Sequence, residues 1–281
     1  MILRTRQKTF TFPRKALVVG SVRLSFERAR ADSSAELLRS LDAARKQALH
    51  GADLLAVELY GFPTCPGKSD GILATQLIST FVSSWKTEAH PQPLALHLPS
   101  LAVAGAILPM GGDFIINAHT NASREQRFSA RLCAEHDAGF IALYKVPSGP
   151  NVSCQGGDFD VLTDAWKTFD TSLQDARDAR LPETAVALAV RLDWTDAVST
   201  AHSIRLSAQM GRFREFGRPL WLADVPSHTN EGGARDERGE RETAGAVARV
   251  VHGLMAGVSL FQSGDTGAVA ATIRTMSAVL K

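Results

Sequence analysis

Gly51-Ala52-Asp53-Leu54-Leu55-Ala56-Val57-Glu58 sets a turn of small residues before a short apolar strand that closes on a carboxylate. The same order recurs along the chain: turn, apolar strand, polar residue at the strand's C-terminal edge, amphipathic helix. Eight such units are read. Eight sequential strand–helix units predict a single (β/α)8 barrel domain over 1–281, with its chemistry where the strands end. Strands are expected over 16–22, 53–59, 93–98, 113–117, 139–145, 185–192, 219–223 and 258–262. Helices are expected over 33–50, 72–85, 100–108, 124–136, 159–180, 196–216, 243–256 and 266–280. Ahead of them, Thr9-Phe10-Thr11-Phe12 alternates as a short β-hairpin arm would, and it is expected to cap the bottom of the barrel. The segment 224–242 is read as one long, charged loop, expected to be mobile without ligand and to act as a lid.

The chain's 281 residues, 44% of them apolar, suffice for one barrel with a large core. Its formal net charge of +2 comes from scattered Lys, Arg, Asp and Glu, which argues against a nucleic-acid partner. The basic opening 1–15 lacks the apolar run of a secretory signal, and no stretch reaches the roughly 18 apolar residues of a membrane span. A soluble, cytoplasmic protein is expected. Cys65, Cys133 and Cys154 have no metal or disulfide spacing.

The strand ends form one expected rim: Arg23, Glu58, His97, Asn117, His119, Lys145, Asp193, Asp224, His228, Gln262, Ser263 and Asp265. A polar residue just inside an apolar strand's end needs a partner, because burying it unpaired costs about 1 to 3 kcal/mol. A ligand is one partner; a neighbouring side chain or loop backbone is the other. Asn117 offers a donor and an acceptor, and Asp193 accepts from two adjacent N–H groups. Together they suit the amino-pyrimidinone edge of a flat nitrogen heterocycle.

Several stretches resemble the pterin-binding barrels, the dihydropteroate synthases and the methyltetrahydrofolate:corrinoid methyltransferases. Leu17-Val18-Val19-Gly20-Ser21-Val22 with Ser25-Phe26 is similar to that family's first strand and loop, and 51–57 with Cys65-Pro66-Gly67 to its second. Ile115-Ile116-Asn117 and Leu192-Asp193 resemble the fourth and sixth strands, whose Asn and Asp contact the pterin. The run 117–125 leans toward the methyltransferases, and Glu240-Arg241 with Thr243-Ala244 toward the synthases. The resemblance implies a pterin or folate ligand held by Asn117, Asp193, His97 and Asp224, with Arg23, Lys145 and His228 as possible anion-binding groups. It further implies a transferase of folate metabolism, a homodimer, Mg2+ for synthase chemistry, and a corrinoid protein partner for methyl transfer.

Against the synthase pattern, the first loop reads Ser21-Val22-Arg23 without its Asn, and the third strand ends in His97 where an Asp is expected. After strand seven, Val225-Pro226-Ser227-His228 lacks the pterin-contacting Lys; after strand eight, Phe261-Gln262-Ser263-Gly264 replaces an Arg-x-His. Expelling diphosphate needs positive charge to meet the developing negative charge, so weak or absent synthase activity is expected. Two further readings stay open. One is a metal hydrolase using His97, His119, Asp193 and His228, residue types that suit zinc. The other is a non-catalytic scaffold on the same fold.

Overall fold

The computed structural model describes residues 1–279 apart from 7, 13–15, 64–65, 90, 99, 119–122, 148–159, 195 and 226–236, without side-chain detail at 118, 123–126, 224–225 and 237–243. A two-stranded antiparallel hairpin, β1 (Ile2–Arg4) and β2 (Thr9–Thr11), precedes the barrel. Eight parallel strands then close on themselves: β3 (Leu17–Ser25), β4 (Leu54–Tyr60), β5 (Leu94–His97), β6 (Phe114–Ala118), β7 (Gly139–Lys145), β8 (Val186–Arg191), β9 (Leu220–Val225) and β10 (Leu260–Ser263). The order is sequential and β10 pairs with β3, so the barrel has no open edge.

Alternation along each strand sorts the apolar residues into two layers. Leu17, Val19, Leu54, Ala56, Ala95, Phe114, Ile116, Ile141, Leu143, Ala187, Ala189, Trp221, Ala223 and Leu260 form one cluster inside the barrel. Val18, Val22, Leu55, Val57, Leu96, Ile115, Ala142, Leu188 and Leu222 belong to the outer layer, packed on the helices. Leu3 and Phe12 from the hairpin join the inner cluster, so the arm covers the end of the barrel where the strands begin. The arm is tied down by Arg6, which donates to the carbonyls of Leu108 and His136. One glycine sets the fit inside: a Cβ at Gly139 would lie 2.1 Å from the Phe114 ring, so the absence of a side chain on β7 leaves space for that ring.

The helices are α1 (Phe26–Ala31), α2 (Ser33–Leu49), α3 (Lys68–Lys86), α4 (Leu101–Ile107), α5 (Ser123–Glu135), α6 (Val161–Asp178), α7 (Ala197–Ala208), α8 (Glu237–Ala256) and α9 (Thr266–Val279). Two differences from the sequence reading concern the mouth. The first strand runs on to Ser25, whose side chain accepts from Arg28 N to cap α1, a helix the sequence reading does not contain. Fully buried Glu36 holds this exit, accepting from Ser25 N at 2.6 Å and Arg28 Nε at 2.9 Å. The other difference is in the charged stretch before residue 243, where α8 already begins at Glu237. Glu and Arg are good helix formers, and acidic residues suit a helix N-terminus. The remainder of the expected lid, 226–236, lies outside the described residues. Among the described residues no helix is long and apolar enough to cross a membrane.

Candidate functional site

Adjacent strands align three rim residues in register: Arg23 pairs with Glu58, and Glu58 with His97. They continue the inward-facing rows that begin at Val19, Leu54 and Ala95. On the far wall, Arg191 continues the row of Ala187 and Ala189 and pairs with Lys145. Strands β4 and β8 are opposite in the closed order. Yet Arg191 Nη1 donates to Glu58 Oε1 at 3.3 Å, and His97 Nδ1 lies 3.0 Å from the same oxygen. An ion pair therefore spans the mouth, with an imidazole attached to its acidic end.

The charge state of Glu58 follows from its surroundings. Burial pushes its carboxyl pKa up, but the hydrogen bond from His97 and the charges of Arg191, His97 and Arg23 outweigh this and hold it at about 2. Glu58 is thus an anion at neutral pH. Arg191 is only 15% exposed, and its Nε is buried with no hydrogen-bond partner among the described residues. Deeper in the barrel, Gln262 Nε2 donates to Ser21 Oγ at 3.1 Å, closing β10 against β3 with a neutral contact. Trp221 Nε1, inside the barrel, is also buried without a partner among the described residues.

The other expected site residues are placed as follows. Asp193 lies two residues beyond β8, half-buried; its N–H donates to Ser203 Oγ at 2.8 Å and its carbonyl accepts from that hydroxyl at 2.7 Å. This clasp fixes the backbone carrying the carboxylate. Asn117 is half-buried on β6, and its register partner is Ala142. By strand alternation it shares a pleat side with Ile115, on the helix-facing layer. Arg23 and Lys145 are exposed at the rim. Asp224 has its backbone in β9, but its side chain, together with all of His119 and His228, lies outside the described residues. Of the expected residues, the structure brings together His97 and Arg23 around Glu58; no contact joins Asn117 to Asp193 among the hydrogen bonds described. Arg191 was missed by sequence reasoning, which followed the strand to Leu192-Asp193. The alternation Ala187, Ala189, Arg191 carried the signal. Among the described residues no three His, Cys, Asp or Glu side chains gather as a metal-binding group.

No protein-family profile matches this chain, and no curated protein matches it in sequence. Solved structures do. The dihydropteroate synthase of Clostridium difficile, solved in the presence of pteroic acid, aligns with a TM-score of 0.76 over 96% of this chain and 98% of its own, at 17% identity. The fold is that of the dihydropteroate synthases. The synthase of Xanthomonas albilineans, solved with 4-aminobenzoic acid, gives a TM-score of 0.74 at 18% identity, covering 99% of this chain and 98% of that one. That of Yersinia pestis, carrying a pterine-sulfa conjugate, gives 0.75 at 15% identity, covering 100% and 99%.

Proposed function

We propose that this chain is one barrel domain of the pterin-binding kind, which takes a pterin or folate ring at its C-terminal mouth and has lost efficient dihydropteroate synthase activity. The observation that carries the reading is the end-to-end fold match to synthases, one of them solved with pteroic acid, over 96% of this chain. Asp193, on its Ser203 clasp at a strand exit, supports a role in reading the amino-pyrimidinone edge. In the same reading His97 and Asp224 complete the ring's polar contacts, Arg23, Lys145 and His228 meet anionic parts of the ligand, and Asn117, on the helix-facing side of β6, is left out of the ring's contacts. Glu58 holds His97, and Arg191 supplies a positive charge to the mouth.

Loss of the synthase reaction follows from charge. At the end of β10, Phe261 and Ser263 are fully buried, and Gln262 is committed to Ser21, so this edge carries no cation where the synthase pattern has an Arg-x-His. Each lost contact to a developing oxyanion costs on the order of 10² to 10³ in rate. Binding of the ring itself depends on other groups and should suffer less. The test has two arms. Condensation of dihydropterin diphosphate with p-aminobenzoate in the presence of Mg2+ should give turnover near background, and about 1 s⁻¹, within the usual enzyme range, would overturn the loss of activity. Isothermal calorimetry with oxidised, dihydro- and tetrahydro-pterins and folates should detect binding to at least one. Cobalamins in the same screen test the methyltransferase alternative, in which a corrinoid protein is the partner.

A further inference from the structure

The mouth holds two groups with complementary unmet demands. Glu58, as an anion, only accepts hydrogen bonds, so His97 Nδ1 must be the donor across the 3.0 Å contact. In the neutral form of the imidazole, this contact selects the tautomer whose Nε2 carries the lone pair. No described residue bonds to that Nε2. On the opposite wall, Arg191 already bonds the same Glu58 oxygen through Nη1, while its Nε–H is buried and unpartnered. One carboxylate oxygen thus anchors a proton acceptor on β5 and a cationic donor on β8.

We propose that His97 is a general base in this mouth: its Nε2 takes the proton from a ring N–H of a bound lactam heterocycle, while Arg191 stabilises the charge that develops on the adjacent carbonyl oxygen. The ring N–H bond breaks and the Nε2–H bond forms. The released electron pair stays on the ligand, delocalised onto the lactam oxygen beside the guanidinium. The imidazolium formed on His97 is balanced by Glu58, already ionised, so no further proton has to move. Neither oxidant nor reductant is needed, and the step reverses when the proton returns. A lactam fits because it offers a donor and an acceptor side by side, matching the acceptor on His97 and the donor on Arg191. The ligand class rests on the proposed pterin or folate reading; the tautomer and its anchoring do not. The charged groups gathered at this contact are Arg23 on β3, Glu58 on β4 and Arg191 on β8.

Two measurements decide it. In ligand-free protein, 15N chemical shifts should report His97 as the Nδ1–H tautomer, and Glu58→Gln, whose amide also donates, should mix the tautomers. An Nε2–H tautomer in the unmodified protein overturns the proposal whatever the protein binds. The second measurement is the ultraviolet spectrum of bound pterin at a pH where free pterin is neutral. The expected spectrum is that of the deprotonated ring, with at least a tenfold gain in acidity, lost in His97→Gln. Pterin bound with the neutral spectrum, or with the same anionic spectrum in His97→Gln, overturns the base while leaving the binding reading intact. If calorimetry detects no pterin binding, the ligand class falls together with the proposed function, and the tautomer measurement still decides how His97 is held.

Discussion

At the end of the barrel where the strands begin, the inner residues meet Leu3 and Phe12 of the hairpin, 1% and 4% exposed. At the other end they meet Arg23, Glu58, His97 and Arg191, and the buried Nε of Arg191 has no hydrogen-bond partner among the described residues. Both ends are built on the same eight strands. The closed end gains from burial, which is non-directional and scales with area. The open end holds charges that need specific partners, and where the chain supplies too few, a ligand is the remaining source. Stability should thus concentrate below and chemistry above, as barrels generally arrange it.

Four substitutions or conditions probe that division. The largest effect is expected for Phe114→Ala in the inner cluster, where a fully buried ring would leave a cavity beside Gly139. A loss of about 3–5 kcal/mol is expected by denaturant titration, with ligand affinity little changed in whatever remains folded; a loss below about 1 kcal/mol would mean the inner layer is loosely packed. Leu3→Ala, in the hairpin, should cost about 2–4 kcal/mol by the same measurement and the same cause, the hairpin being the weaker of the two supports if it falls at the low end.

Glu58 probes the mouth. Its folded pKa of about 2 lies below the ordinary 4.5, so the ionised form is favoured by folding. The resulting stability is fully present above pH 4.5 and is lost as the pH falls toward about 2. A displacement of that size corresponds to at most about 3.5 kcal/mol. Unfolding measured across this window should show the acid-side loss in the unmodified protein and a smaller one in Glu58→Gln. Equal losses would place the pH sensitivity elsewhere. The smallest effect is expected for Asp160→Ala, which removes an exposed cap of α6 bonded to Leu162 N and Thr163 N. Stability should fall by about 1 kcal/mol with ligand binding unchanged, and a change in binding would extend the site to this loop.

The eight-unit rhythm was legible because each strand alternates over a short apolar run and each helix repeats at its own period. Gly139 to Lys145, for example, forms β7 with the bounds the sequence suggests. The short helix after Ser25 was not legible: six residues leave little periodicity, and its support is Glu36, packed from the next helix. At α8 the charged run concealed a helix start, because charge alone does not distinguish a solvated loop from a solvated helical turn. In the site, His97 and Arg23 are legible as rim residues, but nothing in the sequence sets Glu58, which joins them, apart from the other polar strand ends. Arg191 is not legible as a strand end because the apolar run continues past it to Leu192.

The sequence by itself determined the closed eight-stranded barrel, the hairpin beneath it and which end carries polar residues, since these follow from local period and turn chemistry. Only the tertiary structure decided that Glu58 and Arg191, 133 residues apart, bond across the mouth, and that His97 shares the same oxygen. Closure of the sheet brings opposite strands within side-chain reach, a distance that no local spacing encodes.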